Sequence, residues 1–388
     1  MKIVHVTGYF QPELGYEEYY LALNQKKLGH DVYVITSDRI ANLPNLNGSL
    51  KEINSKYNTR FRPVGLSEID GIKVYRLKTI FEAKDFLVVK GMKRILKEIK
   101  PEIVHAHEPR QFMTMLPALY KKIFGYKLIT DQHDYDIFPT IRSKLMTYVV
   151  RRTICRFAFK KSDKIIAITP ESKRFIKNVY GIKKEVIDST LGADTDRFKF
   201  NSKKREGIRE RFGIKDKEAL LITVGHIGRN KKLENLIEVF SKTKDSKLML
   251  VGGGDEDYTN ELKKLTVELC ITDKVIFLGR ISQEELPYYY SAADIGVWPF
   301  RATITIIEAM ACKLAVVIPD IDTVKHLVAY DNGLTFQLEN KENLLEKINL
   351  LIKDRRLREN LSKKAEKITI EKFSYKNIAK GYIEIYNS

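Results

Sequence analysis

Residues 219–233 read Ala219-Leu220-Leu221-Ile222-Thr223-Val224-Gly225-His226-Ile227-Gly228-Arg229-Asn230-Lys231-Lys232-Leu233. A short apolar, β-branched run ends on a glycine, basic residues follow, and an apolar helical pattern opens at Leu233. This is the pattern of a buried strand turning into a helix. Glycines let backbone N–H groups approach an anion, and a helix N-terminus adds a favourable dipole. Lys and Arg in such a turn can neutralise a diphosphate. An ordinary βα turn with solvated lysines is the alternative.

Downstream, the alternation continues. Strands are expected at Leu248–Val251, Lys274–Leu278, Asp294–Val297 and Ala315–Ile318. Helices are expected near Leu233–Lys242, Tyr258–Cys270, Gln283–Ala292 and Thr305–Cys312, and a basic helical tail runs from Glu342 to Ser388. Upstream, strands fall at Lys2–Thr7, Val32–Thr36, Ile72–Leu77, Ile103–Ala106, Lys127–Thr130 and Lys164–Ile168. The helices between them lie near Glu17–Leu28, Phe86–Ile99, Phe112–Phe124, Ile141–Lys160 and Glu171–Tyr180. Asp38–Asp70, rich in Asn, Pro, Gly and Ser, reads as a long loop. Two series of βα units imply an α/β chain with two doubly wound parallel-sheet domains. The polar stretch Asn201–Gly207 separates them, giving residues 1–200 and 201–372, with 373–388 packing back on the first.

The length, 388 residues, suits two domains with ample cores. No apolar run approaches the ~20 residues that span a bilayer, and the first residues read as a strand rather than a signal peptide. Cys155, Cys270 and Cys312 are odd in number and far apart. They exclude a disulfide framework and a Cys-x-x-Cys metal site and favour a reducing, cytoplasmic compartment. The net charge is +18, and an excess of 14 of it lies in residues 1–200. Such asymmetry suggests an anionic partner: nucleic acid, a membrane surface or an acidic substrate. A Lys-rich compositional bias explains it equally well.

Two further segments of the second half carry chemistry. Leu250-Val251-Gly252-Gly253-Gly254-Asp255-Glu256 marks a tight turn or close backbone approach. It is not Gly-x-Gly-x-x-Gly, and no Gly-x4-Gly-Lys-Ser/Thr occurs, which disfavours dinucleotide and P-loop sites. After Ala292–Pro299 comes Thr303-Ile304-Thr305-Ile306-Ile307-Glu308-Ala309-Met310-Ala311-Cys312. Thr303 or Thr305 can cap this helix, and Glu308 falls in its first turn on a mostly apolar face. A carboxylate buried there needs a partner.

These segments, in this order, resemble family 4 glycosyltransferases of the GT-B fold. Leu28-Gly29-His30-Asp31-Val32, His105-Ala106-His107-Glu108-Pro109, Thr130-Asp131-Gln132-His133-Asp134 and Leu191-Gly192-Ala193-Asp194-Thr195-Asp196-Arg197-Phe198 extend the likeness over nearly the whole chain. The resemblance implies two Rossmann-like domains facing across a cleft, the last helix, Tyr375–Tyr386, crossing back to the first domain. It implies a glycosyltransferase, retaining and metal-independent, that moves a sugar from a nucleoside-diphosphate sugar to a glycan or lipid-linked acceptor. A UDP-sugar is the default donor, and no further cofactor is expected. Lys231 matches the lysine that neutralises the leaving diphosphate, and Glu308 the Glu that contacts the ribose. His133 matches the histidine beside the reacting sugar. Gly15, Gly225, His226, Arg229, Gly253, Arg280, Ile281, Thr303 and Ile304 fall on the donor side, and His107 and Tyr16 on the acceptor side.

There are departures. The Arg that follows the first glycine of the family turn is His226 here, and Arg229 is a candidate substitute. A glycine pair is reduced to Gly15-Tyr16. The first Glu of Glu-x7-Glu is absent, Phe300 standing in its place. A sugar-nucleotide epimerase or a degenerate nucleotide-binding protein therefore competes as a reading. So does a metal hydrolase built on His105, His107, Asp131, His133, Asp134 and Asp136 at adjacent strand ends. The basic segment Arg142–Lys164 reads as an amphipathic helix. It carries no nucleic-acid motif and reads first as a core-packing helix with a basic solvated face; peripheral docking of that face on an anionic membrane is compatible with the transferase reading.

Overall fold

The computed structural model describes residues 1–41, 60–83, 86–109, 112–133 and 151–388. These divide into two compact units. One holds the residues before 191 together with Tyr375–Ser388, and the other holds Leu191–Ser374.

The first unit is built on an eight-stranded sheet in the order β10-β9-β8-β7-β1-β2-β4-β3. The strands are β1 (Lys2–Val6), β2 (Asp31–Ser37), β3 (Gly65–Ile69), β4 (Ile72–Leu77), β7 (Ile103–Ala106), β8 (Lys127–Gln132), β9 (Lys164–Ala167) and β10 (Ile187–Asp188). All pairs are parallel except β3–β4. Parallel strands need crossovers and are covered on both faces, which explains their near-continuous apolar runs. Ile3, Val4, Val34, Val104, Leu128 and Ile166 are fully buried. The crossovers include α1 (Glu17–Lys27), α2 (Met92–Ile99), α3 (Phe112–Phe124), α4 (Arg156–Lys161) and α5 (Pro170–Asn178).

Two expectations fail here for local reasons. Phe86–Ile99 is not one helix. Phe86–Val89 (β6) pairs with Thr79–Ala83 (β5) as an antiparallel ribbon, and α2 starts only after Gly91, whose φ of 104° breaks the helix. The β-branched and aromatic run Phe86-Leu87-Val88-Val89 is strand chemistry. The second concerns Asp38–Asp70, which is not all loop. Gly65–Ile69 returns as β3 through Asp70-Gly71, both at positive φ (49° and 78°), the Asp-Gly signature of a two-residue hairpin. Residues 42–59 of that segment, and 141–150 of the expected helix Ile141–Lys160, lie outside the described residues. What is described of that helix is a π-helical turn, Arg151–Cys155, leading into α4.

The second unit has an all-parallel sheet in the order β13-β12-β11-β14-β15-β16. Its strands are β11 (Ala219–Val224), β12 (Ser246–Val251), β13 (Val275–Gly279), β14 (Ile295–Val297), β15 (Ala315–Pro319) and β16 (Leu334–Phe336), the last unforeseen. Its helices include α6 (Ser202–Arg211), α7 (Leu233–Phe240), α8 (Glu256–Glu268), α9 (Leu286–Ala292), α10 (Ile304–Ala311), α11 (Lys341–Lys353) and α12 (Arg355–Ile368). Asn201–Gly207 is not a linker: Asn201 caps α6 by accepting from the Lys204 N–H at 3.0 Å. The units part before Leu191, because Ala193 and Phe198 are buried in the second unit's core. The final helix, α13 (Tyr375–Asn387), belongs to the first unit. It lies on α1, with Tyr375 stacked on Tyr20 at 4.9 Å between ring centroids.

Candidate functional site

In the second unit β11 and β12 end side by side, and their turns touch backbone to backbone. Gly225 N–H donates to the Val251 carbonyl and Ile227 N–H to that of Gly253, both at 3.0 Å. A Cβ on Gly252 would sit 1.8 Å from the Gly225 oxygen, and one on Gly254 2.2 Å from the Ile227 oxygen. Gly252 and Gly254 are therefore dictated by this contact. Gly253 has room for a Cβ, which would meet Arg280 at 3.9 Å, so Gly253 and Arg280 are neighbours. Ile281 packs against the core.

The turn after Gly228 is a single 3₁₀ turn, Arg229–Lys231, and α7 starts at Leu233 beyond Lys232, whose φ is +53°. The Leu233 N–H donates to the Tyr258 hydroxyl at 3.0 Å, so that terminus is already occupied. Arg229 turns away from the turn. It pairs with Glu261 at 2.5 Å and lies over the Tyr258 ring. It does not take the place of the arginine missing at His226. Burial, with Lys231 next, holds the His226 imidazole below its ordinary range and so neutral near pH 7.

Lys231 behaves differently. Its ammonium is largely buried and donates to the Arg301 carbonyl at 2.6 Å, and it forms no ion pair among the described residues. Burial, then Arg301, lowers its pKa. Arg301 immediately precedes α10, where Thr303 is the N-cap residue without a side-chain cap and the Thr305 hydroxyl is buried without a hydrogen-bond partner. A buried cation thus adjoins an uncapped helix N-terminus at Thr303 and Ile304. Both attract the same thing, an anion.

Glu308 lies one turn further into α10 than the sequence suggests and does not serve the helix terminus. It is buried, accepts from the Tyr290 hydroxyl at 3.3 Å, and burial pushes its pKa up to about 7. The folded chain therefore holds a proton there that the unfolded chain releases near pH 4.5. Stability falls by about 3 kcal/mol as pH rises from about 4.5 to about 7. Glu308→Gln removes that dependence. Unfolding measured at two pH values should find the variant more stable than the parent at about pH 8 and equal to it at about pH 4, below the titration window. The same difference at both values would contradict the assignment.

In the first unit, the C-terminal ends of β1, β7 and β8 gather the histidines. His5 and His105 share a register row. His5 Nδ1 lies 2.9 Å from His107 Nε2, and His5 Nε2 lies 2.8 Å from Gln25 Oε1. Gln25 Nε2 donates to the Tyr386 hydroxyl at 3.2 Å, and that hydroxyl lies 2.8 Å from His105 Nδ1. His107 Nδ1 hydrogen-bonds Asp131 Oδ2 at 2.5 Å, and His105 Nε2 lies 3.1 Å from the same oxygen, an ion-pair distance without hydrogen-bond geometry.

The hydrogen-bonded chain from Asp131 through His107, His5, Gln25 and Tyr386 to His105 assigns its own protons. Gln25 Oε1 only accepts, so His5 Nε2 carries hydrogen and His5 Nδ1 accepts. His107 must then donate from Nε2, and it faces a carboxylate with Nδ1, which makes it the doubly protonated imidazolium. The pKa directions agree. Burial lowers His107, but Asp131 outweighs it and the group is raised, whereas burial, then His107 and His105, hold His5 well below its ordinary range. Asp131 is pushed up by burial but held well down by His107, His133 and His105.

His133 stands at the edge of this network, 19% exposed. Its Nε2 is 3.1 Å from Glu17 Oε2 and 3.6 Å from Asp131 Oδ1, and these carboxylates outweigh burial and raise its pKa well above the ordinary value. His107 is 1% exposed and backs the site rather than meeting an acceptor. Gly15 has a φ of 65° and gives its N–H to the Pro12 carbonyl, which leaves that amide no bond for a donor phosphate, and Tyr16 starts α1. The groupings His5, His105, His107 and His107, Asp131, His133 have donor atoms close enough to hold a metal ion. Within them His5–His107 at 2.9 Å and His107–Asp131 at 2.5 Å stand at hydrogen-bond distance, whereas His105 Nε2 and His133 Nε2 make no hydrogen bond among the described residues. Asp134 and Asp136 lie outside the described residues. Glu17, Gln25 and Tyr386 were not foreseen, since only the fold brings α1 and α13 to the strand ends.

The family described as glycosyl transferases group 1 matches residues 204–368, and glycosyltransferase family 4 matches residues 19–189. The chain belongs to these GT-B glycosyltransferases. Among its relatives, an uncharacterised glycosyltransferase of Methanocaldococcus jannaschii is 27% identical, over 82% of this chain and 85% of its own. The N,N'-diacetylbacillosaminyl-diphospho-undecaprenol α-1,3-N-acetylgalactosaminyltransferase of Campylobacter jejuni is 25% identical, over 86% and 88%. Among solved structures, Anabaena Alr3699/HepE in complex with UDP superposes with a TM-score of 0.75 at 17% identity, covering the whole of both chains. The glycosyltransferase carries the family's two halves as its two units, Lys231 and Glu308 in one and His133 in the other.

Proposed function

We propose that this glycosyltransferase transfers a hexosyl group, with retention, from a nucleoside-diphosphate sugar to a glycan or lipid-linked acceptor, without a metal. The observation that carries the reading is the buried Lys231 ammonium beside the uncapped start of α10. A largely buried cation with no ion pair among the described residues, next to a helix N-terminus, is poised for the charge that develops on a leaving diphosphate. UDP in the Anabaena structure supports a uridine donor, and the undecaprenol-linked substrate named for the Campylobacter relative supports a lipid-linked acceptor. The α linkage in that relative's name supports retention, because common sugar nucleotides are α-linked. Glu308 would meet the nucleotide, with Gly225, Gly253, Arg280 and Ile281 lining its approach, and His133 would meet the transferring sugar. A screen of UDP, GDP and ADP sugars for transfer tests the reading.

No metal is needed if Lys231 and the helix neutralise the leaving group. The donor-unit pair Asp320-Ile321-Asp322 is engaged by Lys325, at 3.5 and 3.0 Å. Transfer should persist in EDTA. Loss on chelation with recovery on Mg²⁺ or Mn²⁺ would require an ion instead.

No helix among the described residues is long and apolar enough to cross a membrane. Peripheral docking of the basic first unit on an anionic face from the cytoplasm fits a lipid-linked acceptor. Of the basic segment, Arg156 is half-buried against Gly181, whereas Lys160 and Lys161 are exposed. Each lysine near such a surface contributes about 1 kcal/mol. Lys160→Glu with Lys161→Glu should reduce sedimentation with anionic vesicles, while neutral vesicles bind poorly throughout. Equal partitioning onto both vesicle types would make the acceptor a soluble one.

A further inference from the structure

The last helix does more than cover the first unit's sheet. Tyr382 and Tyr386 are one turn apart on α13 and so share a face. The Tyr382 hydroxyl donates to Glu17 Oε1 at 3.1 Å, and the other oxygen of Glu17 faces His133 Nε2 at 3.1 Å. The Tyr386 hydroxyl bonds His105 Nδ1 at 2.8 Å, His105 Nε2 faces Asp131 Oδ2 at 3.1 Å, and Asp131 Oδ1 lies 3.6 Å from the same His133 nitrogen. Burial alone requires only that each hydroxyl find a partner. It does not require that two hydroxyls of one helix lead, by separate routes, to the two carboxylates flanking one ring nitrogen.

We propose that Tyr382 and Tyr386 are positioning residues, through which the C-terminal helix fixes Glu17 and Asp131 and thereby the orientation of the His133 ring toward the reacting sugar. This rests on the assignment of His133 to the sugar. The charged and titratable groups around that ring are Glu17 and Glu18 of α1, Asp131 of β8, and His107 just after β7. With both carboxylates held, His133 Nε2 stays within ion-pair distance of two charges, at 3.1 and 3.6 Å, and the ring cannot turn over without losing them. A site whose supporting shell is fixed in this way keeps its reacting geometry, and a displacement of about 1 Å costs about 100-fold in rate.

The test is Tyr382→Phe, Tyr386→Phe and the double variant, with Tyr375→Phe as the control that removes a buried hydroxyl from the same helix. Two readouts are taken: transfer kinetics, and the His133 Nε2–H resonance by NMR in the free protein. The expected result is a fall in kcat of about 10- to 100-fold in the double variant, with KM for donor nearly unchanged. The protected Nε2–H signal should be lost, and Tyr375→Phe should resemble the parent. An unchanged Nε2–H signal in the double variant, or equal losses in the control, would overturn the proposal. If the ring signal is lost while kcat stays unchanged, the helix does orient His133 and the placement of His133 at the sugar is what fails.

Discussion

Lys231→Ala is expected to lower transfer by about 10²–10³-fold, the loss of about 3–4 kcal/mol found when one preorganised charge-stabilising group is removed. The ammonium is largely buried, donates to the Arg301 carbonyl, and has no carboxylate partner among the described residues. Its lowered pKa states the same fact in other terms: the folded site disfavours the charge it holds. A group kept at a cost to stability is explained by what it does for an anion. The variant should therefore be folded, with no loss of thermal stability, and its loss should fall mainly on kcat at saturating donor. Lys231→Arg should restore little, because a planar fork does not replace a point charge in a packed turn. Wild-type turnover in the alanine variant would remove the diphosphate from this turn.

The second large effect falls on stability. Asp131→Asn removes the only carboxylate of the buried histidine network while leaving its shape, and should cost the first unit about 3–5 kcal/mol. The penalty is mostly an imidazolium at His107 left without its counter-charge. The pH dependence follows in sign. Asp131 is depressed in the folded state, so its contribution is present above about pH 4 and lost as pH falls through its folded value. His107 and His133 are raised, so theirs is complete below about pH 6.5 and lost as pH rises through their folded values. His5 and His105 are lowered and oppose folding as pH falls below about 6.5. In the asparagine variant only that opposing pair keeps its full effect. Its stability, followed by hydrogen exchange in β1, β7 and β8, should fall between pH 7 and pH 5 more steeply than the parent's. Parallel pH profiles would mean that the network holds no such charge pair.

The sequence carries the donor unit almost completely, because its site is local. A strand, a glycine turn and a lysine are contiguous from Ala219 to Lys231, and α10 follows at a fixed distance behind β14. What was misread there was direction, as with Arg229, whose aim depends on Glu261 and Tyr258 of a later helix. The first unit is the opposite case. His105, His107, Asp131 and His133 stand out at two strand ends, and their alternation puts each pair on one face. Their hydrogen-bond partners stay open until Gln25 and Tyr386, 361 residues apart in the chain, meet beside them. No periodicity carries that information. The Phe86–Val89 strand and the Asp70-Gly71 hairpin were legible from β-branched residues and turn chemistry, but helical periodicity and loop-like composition masked them.

The account's central claim is that Lys231 and the start of α10 bind the diphosphate of a sugar nucleotide. Calorimetric titration of UDP, GDP and ADP into the parent and into Lys231→Ala measures this directly. The prediction is that at least one of the three binds the parent, with UDP the first expected, and that Lys231→Ala weakens that binding at least tenfold, about 1.4 kcal/mol. Absence of binding by all three, or equal affinity in the two proteins, would contradict it.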